Sequence, residues 1–267
     1  MEILTINLHS YLEENQVEKQ NIFLDYLKEN APQVVGMQEI NQPINSELYY
    51  FQDEGKIKDF GIELNEDNYG LKLFKEICDL NYYYTWLGIK ESYGKFHEGI
   101  GFFTKTMPEE TMYFNLSRTN DRKNWKKRMS LGVKINGVWY FNLHMGRWDD
   151  IEEPFKYQWE SFLNAIPKND KIIAMGDFNS PHNISNEGYS LVRETFCDVC
   201  DFLKEKKEYY TAKAHIDGWE DEHKQMRIDY VFSNFKCNVF SVDTVFDGIN
   251  KSEISDHFAL LVKGDFK

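Results

Sequence analysis

Residues Lys171 to Pro181 read KIIAMGDFNSP. Ile172, Ile173, Ala174 and Met175 form a short continuous apolar run, the pattern of a strand covered on both faces. Gly176 breaks the run, and Pro181 keeps the chain from continuing in a ladder. At the break stand Asp177 and Asn179. Alternation sends their side chains to one side of the chain and Phe178 to the other. A carboxylate and a carboxamide at the end of a buried strand stand where an α/β fold places its chemistry. An Asx turn would give the same two residues a purely structural use, so the pair gains meaning only from its surroundings.

Upstream, residues 3–8 (ILTINL) read as an opening strand that ends near Asn7 and His9. Residues 13–29 read as a helix, with Ile22, Phe23, Tyr26 and Leu27 at helical spacing and Ala31-Pro32 as its stop. Residues 33–37 are a second strand, which delivers Gln38 and Glu39 at its end. This β-α-β order predicts a right-handed crossover between neighbouring strands. Residues 41–68 are polar and irregular and read as a long loop; residues 69–80 look helical. Strands follow at 82–89, 99–104 and 111–116. Residues 130–135 and 138–143 form a hairpin about Asn136-Gly137, whose second arm delivers His144. A helix at 155–165 leads into the KIIAMGDFNSP strand. A short helix near 188–194 and strands at 228–232, 239–245 and 258–262 complete the chain. No linker, repeat or low-complexity tract interrupts it. The expectation is one domain over residues 1–267, of α/β (α+β) class and rich in strands.

The 267 residues carry 44 acidic against 31 basic side chains, a net charge of −13. That balance opposes a polyanionic partner unless cations collect in one groove, so nucleic acid is an unlikely ligand. The densest basic run is Arg118 to Arg128. Within it Arg128 is read either as a phosphate contact or as part of a solvated basic cluster with Arg122, Lys123, Lys126 and Lys127. No apolar run approaches the roughly 18 residues of a membrane span, and MEILTINLHS lacks the basic leader of a signal peptide. The expectation is a cytoplasmic protein without membrane contact. Cys197-Asp-Val-Cys200 has zinc-like spacing but no second pair to complete it. Those two, with Cys78 and Cys237, read as reduced, packed thiols.

Polar residues recur beside apolar strands throughout: Asn7, Glu39, His144, Asp177 with Asn179, Asp229 in RIDYVF, and Asp256-His257 in SDHFALLV. Each alone has an ordinary structural use. Together they call for one cleft at the edge of stacked sheets. In this order they resemble the endonuclease/exonuclease/phosphatase superfamily, over nearly the whole chain. The resemblance implies a four-layer sandwich, two mixed β-sheets packed face to face and flanked by helices. It also implies metal-dependent hydrolysis of a phosphate ester. Such hydrolysis needs neutralised phosphoryl oxygens, an aligned water and a proton for the leaving group.

By that resemblance Glu39 is the main ligand of Mg²⁺, or of Mn²⁺, with Asn7 and Asp256 nearby; a carboxylate is the hard oxygen donor such a cation takes. Asp177 would orient or deprotonate the attacking water, and Asn179 would hold water or phosphate. Asp229 would fix the tautomer of His257, which would face the phosphoryl group. His144 would contact a phosphoryl oxygen or protonate the leaving oxygen, and Glu98 could pair with His144. The phrases SRTNDRKNWKKR, LHMGRWDD and AHIDGWEDEHKQMRIDYVF resemble a bacterial subgroup of regulator-of-fibrinogen-binding-like proteins and maltose 6′-phosphate phosphatases. That subgroup implies a phosphatase acting on a small phosphorylated sugar such as a disaccharide phosphate. Trp125, Trp148 and Trp219 lie in loops near the motifs and suit sugar C–H faces, and Asp149 and Asp150 could accept from hydroxyls. A metal-dependent endonuclease, a sphingomyelinase-like phosphodiesterase and a non-enzymatic binding protein are the competing readings; the last requires a broken catalytic position, and none is broken.

Overall fold

The computed structural model describes every residue except 51–54, 206, 217, 218 and 267. The KIIAMGD segment is strand β9 (Lys171–Asp177), and its side chains alternate between two cores. Ile173 and Met175 face one cluster, Ile172 and Ala174 the other. A strand with apolar groups on both faces fits only between two other layers.

Those layers are two mixed sheets and their helices. One sheet has seven strands in the order β12 (Asn238–Val245), β13 (Ala259–Asp265), β1 (Glu2–Asn7), β2 (Val34–Pro43), β5 (Phe96–Thr104), β4 (Tyr83–Ser92) and β3 (Ile57–Gly61). The other has six, in the order β10 (Cys197–Asp198), β11 (Asp229–Ser233), β9, β8 (Val138–His144), β7 (Met129–Ile135) and β6 (Glu110–Asn115). Parallel pairs are β1 with β2, β3 with β4, and β8 with β9; the rest are antiparallel. The sheets face each other through Val34, Leu87, Ile100 and Phe102 on one side and Leu131, Tyr140, Ile173 and Val231 on the other. Helices α1 (Gln16–Asn30) and α2 (Tyr69–Ile77) cover the outer face of the seven-stranded sheet with Phe23, Leu27, Leu73 and Phe74. Helix α3 (Phe155–Ala165) lays Trp159 and Phe162 on the other outer face, where α4 (Gly188–Val192) joins it. The four-layer sandwich implied by the resemblance is the observed architecture. Among the described residues no helix is long and apolar enough to cross a membrane.

Several boundaries differ from the sequence reading. α1 starts at Gln16, because Ser10–Leu12 first form a 3-10 turn. The expected loop over 41–68 holds the end of β2 and all of β3; part of it, 51–54, lies outside the described residues. β3 is short and mostly half-exposed, so its apolar signal is weak. The Asn136-Gly137 hairpin forms as read, with both residues at positive φ, the geometry of a two-residue primed turn. All four cysteines are free.

Beneath the sheet edge, Asn142 of β8 joins the two sheets. Its amide donates to the Met37 and Gly101 carbonyls at 2.9 Å each, and its oxygen accepts from Gln38 Nε2 at 2.6 Å. All these groups are buried, so none has water as a substitute partner. Asn142→Ala removes the donor to two carbonyls and leaves Gln38 Nε2 with its bond to Thr5 alone, and we expect it to cost about 3 kcal/mol in urea unfolding. A loss under about 1 kcal/mol would show that the junction is dispensable.

Candidate active site

Both sheets bring polar residues to one edge, and strand register sets them level. Across parallel β8 and β9, His144 is paired with Asp177; across antiparallel β9 and β11, Asp177 is paired with Asp229. Gly176 precedes Asp177 at φ +138°, where an added Cβ would lie 1.9 Å from the Leu143 carbonyl oxygen. Only glycine allows the chain to turn here against its neighbour. The opposite sheet delivers Asn7 from the end of β1, paired with Gln38 of β2.

Glu39 arrives differently from the expectation. It lies within β2, where the register with β5 shifts between Met37 and Ile40, and its φ is +50°. A bulge in mid-strand turns its side chain to the cleft. Asn179 also has a left-handed backbone, at φ +46°. Non-glycine residues held at positive φ are rare and cluster at functional sites.

Asn7 bridges the sheets, its amide donating to Glu39 Oε1 at 2.8 Å and to Asp177 Oδ2 at 3.1 Å. The other oxygen of Asp177 accepts from the backbone N–H of Asn179 at 2.8 Å. His257 donates from Nδ1 to Asp229 Oδ2 at 2.9 Å, leaving Nε2 3.8 Å from Asp177 Oδ2. Ser255 anchors this arm by donating to the Asn7 carbonyl at 2.8 Å. His144 Nε2 stands 3.7 Å from Asp177 Oδ2 and 3.8 Å from Glu39 Oε1. Asn179 donates to the Met145 carbonyl at 3.0 Å and accepts from the Trp219 indole at 3.2 Å.

Burial and neighbouring charge separate the titrations. Burial, reinforced by Asp229 and opposed by His257, pushes the Asp177 carboxyl up to about 7. Burial alone would lower His257, but Asp229 and Asp177 outweigh it and hold the ring well above its ordinary value. Burial, with Arg128, Lys90 and His257 around it, holds His144 well below. One imidazole is therefore a cation and the other neutral, the kind of division that acid–base chemistry requires.

These groups open onto a cleft of about 600 Å³. Its wall includes Arg128, Glu98, Trp125, Asp150, Asp256 and Asn179 from the sequence reading, and also Lys90, Lys126, Arg147 and Gln158. Arg128 is buried rather than part of a solvated cluster, since its guanidinium folds back onto the Trp125 and Lys127 carbonyls. Four other expectations are corrected. Glu98 pairs with Lys90 at 3.1 Å instead of with His144, because β4 sets Lys90 directly opposite it. Trp148 does not line the cleft; it packs against Phe155 in the outer core. Asp149 is exposed beside Arg147, 3.4 Å away, and of the two aspartates read as acceptors only Asp150 lines the cleft. Trp219 meets the site through Asn179, beneath the Arg147 guanidinium, rather than by lining the cleft. Lys90 was missed, although one lysine in the apolar run YYTWLGIKES was a legible signal.

Glu39 and Asp256 are carboxylates facing the cleft, and both are only partly buried. Between them lies His9, 4.0 Å from Asp256 and 2.9 Å from Glu13. Burial would lower its ring, yet Glu13, Glu39 and Asp256 together push it up to about 9. A surplus of hard oxygen donors that holds an imidazole charged fits a divalent cation of the magnesium type. Asn7 presents its nitrogen to the carboxylates, with its oxygen accepting from the His9 N–H at 3.1 Å. In this arrangement it positions Glu39.

A cleft built on two stacked sheets, lined by carboxylates and imidazoles, defines a hydrolase of the deoxyribonuclease-like class. The chain belongs to the endonuclease/exonuclease/phosphatase family, whose sequence model matches residues 4–257. It is similar to the structure of an endonuclease/exonuclease/phosphatase family protein from Leptotrichia buccalis C-1013-b, with a TM-score of 0.86 and 27% identity over 100% of both chains. A mannosyl-6-phosphatase from Bacteroides thetaiotaomicron VPI-5482 aligns over 100% of both chains at a TM-score of 0.62 and 17% identity. A 3′ phosphatase from Neisseria bound to a product DNA hairpin aligns over 99% of both at 0.62 and 15%. These last two share the fold. No curated protein matches the sequence.

Proposed function

We propose that the chain is a Mg²⁺-dependent phosphomonoesterase acting on a small phosphorylated sugar, a disaccharide phosphate such as maltose 6′-phosphate. The lining of the cleft carries this reading. Its rim holds Trp125, 64% exposed, and the exposed carboxylate of Glu220, and Asp150 lines it paired with Lys126 at 2.9 Å. An aromatic face beside hydrogen-bond acceptors suits a sugar, and the chain's net charge of −13 opposes a nucleic-acid backbone. Trp125 is held firmly, because its carbonyl accepts from both Lys90 and Arg128. The mannosyl-6-phosphatase shows that the fold carries sugar-phosphate chemistry in another chain.

Glu39 and Asp256 would hold the metal, which neutralises phosphoryl oxygens when bound. Asp177, gripped by Asn7 and the Asn179 N–H, takes the proton of the attacking water. His257, oriented by Asp229, presents Nε2–H to the phosphoryl group. His144, neutral in the resting site, contacts a phosphoryl oxygen, while the departing sugar oxygen takes a proton from the His257 imidazolium, which Asp177, 3.8 Å away, restores with the proton it took from water. Asn179 holds the water or an oxygen of the ester.

The test is phosphate release from a panel of sugar phosphates, with Mg²⁺ and with EDTA, run beside plasmid nicking and sphingomyelin cleavage. Metal-dependent release from a disaccharide phosphate with intact plasmid and lipid is expected. Plasmid nicking without phosphate release would replace this reading with the nuclease one. Trp125→Ala is expected to raise KM for the sugar phosphate about 10-fold, the loss of one stacked face. Its kcat on p-nitrophenyl phosphate, which has no sugar, should stay within about 2-fold; equal damage to both substrates would remove Trp125 from sugar binding.

A further inference from the structure

The cleft contains a second charged group that the hydrolytic residues do not use. Lys90 on β4 and Glu98 on β5 face each other in register, 5% and 6% exposed. Lys90 Nζ lies 3.1 Å from Glu98 Oε1 and donates to the Trp125 carbonyl at 2.6 Å. Arg128, 8% exposed, donates to that same carbonyl at 2.9 Å and to the Lys127 carbonyl at 3.2 Å. Its Nε is buried and has no hydrogen-bond partner.

Two buried cations thus share one carboxylate and one carbonyl. A buried ion pair ordinarily balances its charge, and a buried donor ordinarily finds an acceptor. Neither holds here, and all three side chains line the cleft that contains Asp177, His144 and Glu39. The imbalance is what an anion entering the cleft would satisfy.

We propose that Lys90 and Arg128 form a subsite for the second negative charge of a terminal phosphate, so that the protein selects monoester dianions over diesters. This rests on the phosphomonoesterase reading above. A diester carries one negative charge at any ordinary pH. A monoester gains its second above a pKa of about 6. Fixed cations in a dry pocket read that difference more strongly than solvated ones would. The guanidinium supplies the unused Nε–H, and the ammonium supplies a compact charge beside it. Glu98 sets the charge of the pair in the resting site and keeps Lys90 from being buried alone.

The test compares p-nitrophenyl phosphate with bis(p-nitrophenyl) phosphate, in saturating Mg²⁺, from pH 5 to 8. For the wild type, the ratio of kcat/KM on the monoester to that on the diester, in which the titration of Asp177 cancels, should rise as the pH passes about 6, following the substrate's second ionisation. The double variant Lys90→Met with Glu98→Gln removes the ion pair together, which avoids a stranded buried charge. It should lose about 30-fold or more on the monoester, lose the rise in that ratio, and keep the diester rate within about 3-fold. Equal losses on both substrates, or an unchanged preference, overturn the proposal. Arg128→Lys keeps a positive charge but loses the Nε–H, and it should raise the inhibition constant of inorganic phosphate about 10-fold. An unchanged inhibition constant also overturns the proposal. A wild-type protein that cleaves the diester but not the monoester would instead overturn the phosphomonoesterase reading itself.

Discussion

Asp177→Asn is expected to lower kcat about 1,000-fold while the protein still folds. The carboxylate is the base that the geometry places beside both imidazoles, and losing a positioned base costs roughly 10²–10⁴ in rate. The substitution preserves the shape of a residue buried between two sheets. Far-ultraviolet circular dichroism should therefore match the wild type. Near wild-type turnover by the variant would exclude Asp177 from the mechanism.

The same variant has a second readout, in metal-free protein. The Asp177 carboxyl moves from 3.8 to about 7 on folding, chiefly through burial. Folding thus favours its protonated form. That contribution is complete below about pH 4 and is lost as the pH rises through about 7, a change of up to ~4 kcal/mol. His9, pushed up to about 9, loses its contribution in a later window, between about pH 6.5 and 9. Urea unfolding in EDTA should therefore show wild-type stability falling between pH 4 and 7. The slope should be shallower in Asp177→Asn over that window. Equal slopes would mean that Asp177 does not titrate near neutrality.

Glu39→Gln is expected to lower kcat/KM about 100-fold or more and to raise the Mg²⁺ concentration for half-maximal activity at least about 10-fold; losing even an outer partner of a metal ligand costs 10–100-fold. Glutamine can still accept from Asn7, which donates to Oε1, so the β2 bulge should survive. Magnesium titration of the residual activity, paired with calorimetric binding, checks this. An unchanged magnesium requirement would move the metal away from Glu39.

The reading of Asp177, Asn179, His144, Asp229 and His257 as neighbours came from strand ends alone, and the register confirms the neighbourhood. β8, β9 and β11 are adjacent, so residues that close apolar runs in the chain close adjacent runs in space. The two-faced burial of β9 was legible because Ile172 to Met175 leaves no polar face. The four-layer architecture was legible through the ordered motifs rather than through periodicity. β3 was not legible, since a short edge strand with a half-exposed face carries little pattern.

The sequence by itself determined most of the sheet-and-helix order, the family, and most of the polar residues that meet at the sheet edge. Those follow from local alternation and from motif order, both written along the chain. Only the tertiary structure decided how the site is charged. Lys90 and Glu98 pair because β4 and β5 happen to be in register there. Glu39 reaches the cleft because β2 bulges. Arg128 is buried because its guanidinium folds onto the Trp125 and Lys127 carbonyls, and Trp148 leaves the cleft to pack against Phe155. Register, bulges and the folding of loops are settled by how strands pair and pack in space, and no hydrophobic alternation along the chain records them.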